Sequence, residues 1–244
     1  MEVRDKVVLV TGASAGIGRA VAGLAAKQGA RLALNARSSD RLEQVSRELR
    51  GSVAFPADMS DEAAVADMIR EVHRWFGRLD VLINNAGRGM YAPLRSMPVE
   101  AFRALLDLNV VGPLVAMQAA IPLMRSQGGG TIVNISSGTA LMHTPGLSGY
   151  SATKRALGGL SLTARAELAS EHIVVSVVYP YVTKSDFYRN WVADEDRIGT
   201  SEDYLGAGRA PADTCDSVAE LILDAVRTGA AEVFAHEWMG DRTT

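Results

Sequence analysis

The chain has 244 residues, 48% of them hydrophobic and 22% charged, enough for one sizeable core in one domain. Its 25 basic and 28 acidic residues leave a formal charge of −3 without a basic block, and aromatics are only 6%. Binding to nucleic acid through phosphate neutralisation or base stacking is therefore not expected. The single cysteine, Cys215, excludes an internal disulfide framework and reads as a small buried filler ahead of a helix. Residues 1–6 lack the apolar core of a signal peptide. The most apolar stretch, 108–124, is interrupted by Asn109, Gly112, Pro113, Gln118 and Pro122 and reads as too short and too polar to span a bilayer. A cytoplasmic location with no membrane partner is the expectation.

In chain order, Val7-Val8-Leu9-Val10 opens as a strand, and short apolar runs recur at 31–35, 52–55, 81–83, 131–135 and 173–178. Such runs suit strands covered on both faces, as parallel sheets require. Helical spacing separates them. Val65, Met68, Ile69, Val72, Trp75 and Phe76 follow one helix face, as do Leu157, Leu160, Ala164 and Leu168, and then Val218, Leu221, Ile222 and Ala225. This alternation predicts an α/β protein with a three-layer, doubly wound parallel sheet. One domain covers 1–244, and the rhythm breaks only at 183–211, where a polar and aromatic insertion reads as a substrate lid.

The first strand runs into Thr11-Gly12-Ala13-Ser14-Ala15-Gly16-Ile17-Gly18 and a helix over 19–28. Glycines here allow a tight turn, close approach of backbone to a pyrophosphate, and close packing of helix on strand. The helix N-terminus then offers free N–H groups to the phosphates. A glycine pattern alone is weak; its place directly after the first strand points to a dinucleotide site at Gly12, Ser14, Gly16, Ile17 and Gly18. The second strand ends in Asn35-Ala36-Arg37-Ser38-Ser39, without the carboxylate that would accept from a ribose 2′-hydroxyl. Arg37 and Ser38 suit a 2′-phosphate, so NADP(H) is favoured over NAD(H), although Ser38 could equally cap the next helix.

Tyr150 and Lys154 stand four residues apart, on one helix face. A cation about 5 Å from a phenol stabilises the phenolate by roughly 3 kcal/mol at an effective dielectric near 20. That lowers the phenol pKa by about two, toward the range useful for acid/base work. Ser137, just past the strand at 131–135, falls at the carboxyl edge where ligands bind in parallel sheets, or is an ordinary turn residue.

Together these motifs resemble the short-chain dehydrogenase/reductase family over about residues 5–187, with its Rossmann fold. The glycine motif, Asn84-Asn85-Ala86-Gly87 after the fourth strand, Asn109, and the Ser137, Tyr150 and Lys154 spacing all match. The resemblance implies hydride transfer between a nicotinamide cofactor and a small ketone, aldehyde or alcohol. Tyr150 would be the general acid/base and Ser137 the partner of the substrate oxygen. Lys154 would lower the tyrosine pKa and hold the nicotinamide ribose, and Asn109 would position a water leading to Lys154. Asp58 would meet the adenine, Asn85 and Gly87 would follow the adenosine and ribose, Thr183 would meet the nicotinamide amide, and Ser185 would reach the pyrophosphate. It also implies a homodimer or homotetramer, with Leu157, Leu160 and their helix neighbours partly facing another subunit.

Two departures stand out. Tyr181 replaces the glycine usual after Pro180, which reshapes the substrate pocket, and Ala15 replaces the basic residue of many NADP-using relatives. Leu141, His143, Leu147, Tyr181, Tyr188 and Trp191 are the candidate substrate-pocket residues, although a surface position suits His143 equally. The four histidines share no ligand spacing, so no metal is expected. The leading reading is an NADPH-dependent carbonyl reductase; the alternatives are an NAD-dependent alcohol dehydrogenase, a non-catalytic dinucleotide sensor and a reductase of carrier-protein thioesters.

Overall fold

Seven parallel strands form the central sheet of the computed structural model, which describes residues 1–193 and 210–241. In chain order the first elements are β1 (Val7–Thr11), α1 (Gly16–Lys27), β2 (Arg31–Asn35), α2 (Ser39–Glu48), β3 (Val53–Ala54), α3 (Glu62–Phe76) and β4 (Val81–Asn84). After a short β5 (Met90–Tyr91) come α4 (Val99–Leu106), α5 (Gly112–Ser126), β6 (Gly130–Ile135), α6 (Ser148–Leu168) and β7 (Ile173–Tyr179). A short β8 (Val192–Ala193), α7 (Cys215–Thr228) and β9 (Glu232–Phe234) complete the order.

The sheet runs β3-β2-β1-β4-β6-β7-β9, so the strand order reverses between β1 and β4. Alternate residues of each strand feed opposite layers, as the two-residue period of a strand dictates. Val8, Val10, Leu32, Leu34 and Ile83 pack with α1, α2 and α7 on one face. Val7, Leu9, Ala33, Leu82 and Ile132 pack with α3 and α5 on the other. This is the three-layer, doubly wound fold that the strand pattern predicts.

Several boundaries differ from the sequence reading. β3 is two residues long; beyond it the Phe55 and Ala57 N–H groups still donate to the Leu34 and Ala36 carbonyls, and the side-chain amide of Asn35 donates to the carbonyls of Phe55 and Ala57, each at 3.1 Å. β9 lacks a long apolar run and is visible only through its pairing with β7. Cys215 is half-buried at the first position of α7, not a buried filler, because the helix opens at the protein surface. Leu157 is 1% exposed within its own chain, so it cannot face another subunit, while Leu160 is half-buried.

The stretch read as too short to span a membrane belongs to a continuous helical run, Val99–Ser126, of 28 residues. By length and composition that run could cross a bilayer. In the fold its Ala116, Met117, Ala120 and Met124 are buried against α3 and the sheet. The run widens into one π-type turn at Asp107–Val111, where the Gly112 N–H reaches back to the Asp107 carbonyl. Gly112 has no side chain because a Cβ there would collide with the carbonyl oxygen of Met59. Gly112→Ala should therefore cost about 1–3 kcal/mol, seen as a melting temperature several degrees lower; an unchanged melting temperature would refute this packing constraint.

The insertion read as a lid over 183–211 is described at 183–193 and 210–211; the rest of it, 194–209, lies outside the described residues. Its first part is tied down. The strands β5 and β8 pair in parallel, Met90 with Val192 and Tyr91 with Ala193. Lys184 N–H donates to the Asp213 carbonyl and Asp213 N–H to the Val182 carbonyl, which ties the two ends of the insertion together.

Candidate active site

A cavity of about 1060 Å3 opens at the carboxyl ends of the strands, beside the reversal of strand order. It begins at the glycine turn. The Thr11 hydroxyl donates to the Ile83 carbonyl at 3.3 Å and accepts from the N–H groups of Asn85 and Ala86, each at 3.0 Å. The Asn85 side chain donates to the Thr11 carbonyl at 2.9 Å. Its amide nitrogen therefore braces the turn instead of pointing along a ligand, although Asn85 still lines the cavity. Asn84 also braces, donating to Asn134 at 2.8 Å across the sheet.

The turn shows why glycine is required. Gly12 and Gly16 have φ of +68° and +55°, in the left-handed region. A Cβ on Gly18 would collide with the Gly12 carbonyl oxygen. At the start of α1, Ala15 supplies no side-chain cap, so the first N–H groups stay available to an anion. Gly12, Ser14, Gly16 and Ile17 line the cavity, while Gly18 packs beneath it. Ser185 stands opposite, its Cβ 3.8 Å from where a Gly16 side chain would begin. This cradle fits a pyrophosphate.

Beyond β2 the cavity is lined by Arg37 and also by Arg41, one turn into α2. Neither guanidinium makes a hydrogen bond or ion pair among the described residues. Arg41 was missed from sequence because only the start of α2 turns it back toward Arg37; the i, i+4 spacing was the available signal. Ser38 is the cap residue of α2 without a side-chain cap bond, and it does not line the cavity. The Asp58 carboxylate accepts from the N–H and hydroxyl of Ser60, at 2.9 and 2.7 Å. Burial raises its pKa, but those two bonds and nearby Arg37 hold it below the ordinary value. Asp58 lies beside the cavity, between its lining neighbours Ala57 and Met59.

At the far end, α6 brings Tyr150 and Lys154 to the cavity beside Ser137. The Ser137 hydroxyl accepts from the Thr139 N–H at 3.2 Å and lies close enough to the Tyr150 phenol to favour its ionised form. Lys154 donates to the Ile135 carbonyl at 2.9 Å, and its Nζ lies 5.9 Å from the Tyr150 ring centroid. Burial pushes the Tyr150 phenol well above its ordinary value, with Ser137 pulling it down and Tyr188 pushing it up again. This reverses the lowering expected from Lys154. Desolvation of a fully buried phenol outweighs a cation whose charge the same burial disfavours. Burial pushes Lys154 itself down to about 8.

Asn109 sits on the π-type turn and is fully buried, outside the cavity lining. Its amide donates to the Arg88 carbonyl at 2.9 Å and the Thr153 hydroxyl at 3.1 Å, and its oxygen accepts from the Arg88 N–H at 3.0 Å. With the side chain engaged in this way, only its backbone remains to hold a water. Gly87 lies under both groups: a Cβ there would come 3.1 Å from Asn109 Oδ1 and 3.4 Å from Lys154 Nζ.

The candidate substrate residues Leu141, His143, Leu147, Tyr181, Tyr188 and Trp191 all line this end. His143 is exposed at the rim. Tyr181 is buried, its ring edge-on to His236 and Trp238 at 5.3 and 5.4 Å. The C-terminal segment carrying Trp238 and Met239, absent from the sequence reading, thus forms one wall. Thr183 is buried and lines the cavity, with its hydroxyl donating to the Tyr181 carbonyl at 3.0 Å. Among the described residues no group of His, Cys, Asp and Glu could hold a metal ion.

A glycine cradle at a strand-order reversal, with a phenol, an ammonium and a hydroxyl at its far end, defines a dinucleotide-dependent oxidoreductase site. The family model for short chain dehydrogenases matches residues 6–196. An uncharacterised oxidoreductase of Bacillus subtilis is 33% identical over 196 residues, 79% of this chain and 76% of that protein. The mouse dehydrogenase/reductase SDR family member 7B is 35% identical over 235 residues, 92% of this chain and 71% of that protein. Levodione reductase has a similar structure, with a TM-score of 0.85 and 27% identity, covering 95% of this chain and 96% of that one. A short-chain dehydrogenase/reductase from Burkholderia phymatum, solved with NAD, superposes with a TM-score of 0.90 at 23% identity, covering 98% and 92%. The chain belongs to the short-chain dehydrogenase/reductase family and is an NAD(P)-dependent oxidoreductase.

Lys154 gives the site a pH signature in stability. Its folded pKa, about 8, lies below the ordinary 10.5, so the charged form is destabilising in the fold below pH 8. That penalty, about 3 kcal/mol at pH 7, fades as pH rises through 8 toward 10.5. Between pH 7 and pH 10 the stability of the wild type should therefore gain about 2–3 kcal/mol on that of Lys154→Met. Urea unfolding of both proteins checks this, and a pH-independent difference would refute it.

Proposed function

We propose that the protein is an NADP(H)-dependent oxidoreductase that interconverts a small ketone or aldehyde and the corresponding alcohol. The observation that carries this reading is one continuous cavity with Arg37 and Arg41 at one end and Ser137, Tyr150 and Lys154 at the other. NADP(H), when bound, supplies or accepts the hydride. The glycine turn and Ser185 would hold its pyrophosphate, Asp58 its adenine, and Thr183 its nicotinamide amide. Gly87 and Lys154 would line and hold the nicotinamide ribose.

In the direction of reduction, the Ser137 hydroxyl donates to the substrate carbonyl oxygen and Tyr150 Oη gives that oxygen its proton. Lys154, when charged, favours the phenolate left behind, and the backbone of Asn109 holds a water through which protons return. Asn109's side chain acts here as a brace that fixes the wide turn. The aromatic segment 183–193 covers the substrate, as a lid does.

Arg37 and Arg41 suit a doubly charged phosphate, and no carboxylate at the end of β2 repels one. The second reading, NAD(H) dependence with the same chemistry, draws on Ala15, which leaves the turn without a basic residue. In either case we take the working form to be a homodimer or homotetramer. The helical run Val99–Ser126 supports this, because only 39% of its most apolar window is buried within the chain.

Oxidation of NADPH and NADH, followed in parallel against ketones, diketones and aldehydes, tests the reading; turnover with NADH alone would favour the second. Tyr150→Phe should lower turnover by at least about a hundredfold and leave cofactor binding within a factor of about two. Activity retained in that variant would refute the proton-transfer role. Arg37→Ala and Arg41→Ala should each weaken NADPH binding about tenfold or more and NADH binding far less, by fluorescence titration. Equal losses for both cofactors would show that these arginines do not read the 2′-phosphate.

A further inference from the structure

The substrate end of the cavity holds phenols that the reaction does not use, and one of them is Tyr188. Tyr188 lines it in a cluster of rings that encloses Tyr150. The Tyr188 and Trp191 ring centroids are 5.0 Å apart, Trp191 lies 6.0 Å from Tyr150, and Phe187 lies 6.1 Å from Tyr150. The segment cannot swing away easily. The Trp191 indole lies flat on Gly89, where a Cβ would collide with it, and Val192 N–H donates to the Gly89 carbonyl at 3.1 Å. Tyr188 is also close enough to both Tyr150 and Tyr181 that the charges of their ionised forms would repel. Through Trp191 and Phe187 it is joined to the ring of Tyr150, on the side of the cavity next to the reacting end.

We infer that Tyr188 is a specificity-determining residue: its hydroxyl hydrogen-bonds a second oxygen of a carbonyl compound whose first oxygen lies between Ser137 and Tyr150. The substrate class is then diketones and hydroxyketones, held beside the rings of Trp191 and Tyr188. This inference rests on the carbonyl reading above.

Three features carry it. The surrounding side chains Leu141, Leu147, Phe187 and Trp191 are mostly apolar, so a polar group on the substrate gains most from the few hydroxyls that face it. Of the other polar candidates, His143 is exposed at the rim, where water competes, and Tyr181 is packed edge-on against His236 and Trp238. Burial pushes the Tyr188 phenol up to about 12, so it remains a donor at any working pH. A phenol also accepts, which lets one residue serve a carbonyl or a hydroxyl.

The test compares wild type and Tyr188→Phe on cyclohexanone and cyclohexane-1,2-dione. Rates are measured with the reduced cofactor. Dissociation constants of the same two ketones are measured by calorimetry on protein loaded with the oxidised cofactor, where a ketone cannot react. The dione-to-monoketone ratio of kcat/KM cancels intrinsic reactivity between the two proteins. It should fall about three- to tenfold in the variant, the range expected for one neutral hydrogen bond, and the ratio of affinities should fall with it. Unchanged ratios, or a wild type that binds the dione no more tightly than cyclohexanone, would overturn the inference. If neither protein turns over either ketone, the carbonyl reading fails at this site, and the affinity ratio still decides the role of Tyr188.

Discussion

The hydroxyl of Thr11 joins β1 to β4 where the order of strands reverses, donating to the Ile83 carbonyl and accepting from two backbone N–H groups of the next loop. Two central parallel strands leave their last backbone groups pointing into the cleft between them, and those groups need partners. Thr11 and Asn85 supply them. Once they are satisfied, the glycine turn and the Asn84-Asn85-Ala86-Gly87 segment lie side by side. Gly87 is then close enough to Asn109 and Lys154 that a side chain there would crowd both. The glycine-turn end and the Tyr150 end of the cavity share this one support.

The second constraint is electrostatic. Lys154 is buried beside a buried phenol, with a backbone carbonyl as its hydrogen-bond partner, and both groups shift toward their neutral forms. A site arranged for stability alone would put an apolar side chain there. Retaining the ammonium lowers stability and brings one proton, that of Lys154, toward neutral pH, which suits general acid/base chemistry.

Braces around the site have different origins. The π-type turn at Asp107–Val111 turns Asn109 inward so that its amide holds the backbone of Arg88. Arg155 donates to the carbonyls of Ala140 and Met142, at 2.6 and 3.0 Å, and so fastens the segment after Ser137 onto α6. These bonds make the distance from Ser137 to Tyr150 a property of two elements and not of one flexible loop. The segment 183–193 is held in a similar way, through the pairing of β5 with β8 and the seating of Trp191 on Gly89.

Local patterns in the sequence determined the buried strands, the amphipathic helices, the glycine turn and the Tyr150–Lys154 pair, because each rests on a period of two, on a period of 3.6 or on backbone conformations that glycine permits. Those same patterns were silent on β9 and on the β5–β8 pair, which are short and gain their hydrogen bonds only from strands distant in sequence. They were silent, too, on Arg41, on the wall of Trp238 and Met239, and on the burial of Tyr181. The sign of the Tyr150 shift was misread for the same reason. A spacing of four residues gives the distance to a charge, but only the packed structure gives the degree of burial, and in this site desolvation is the larger influence.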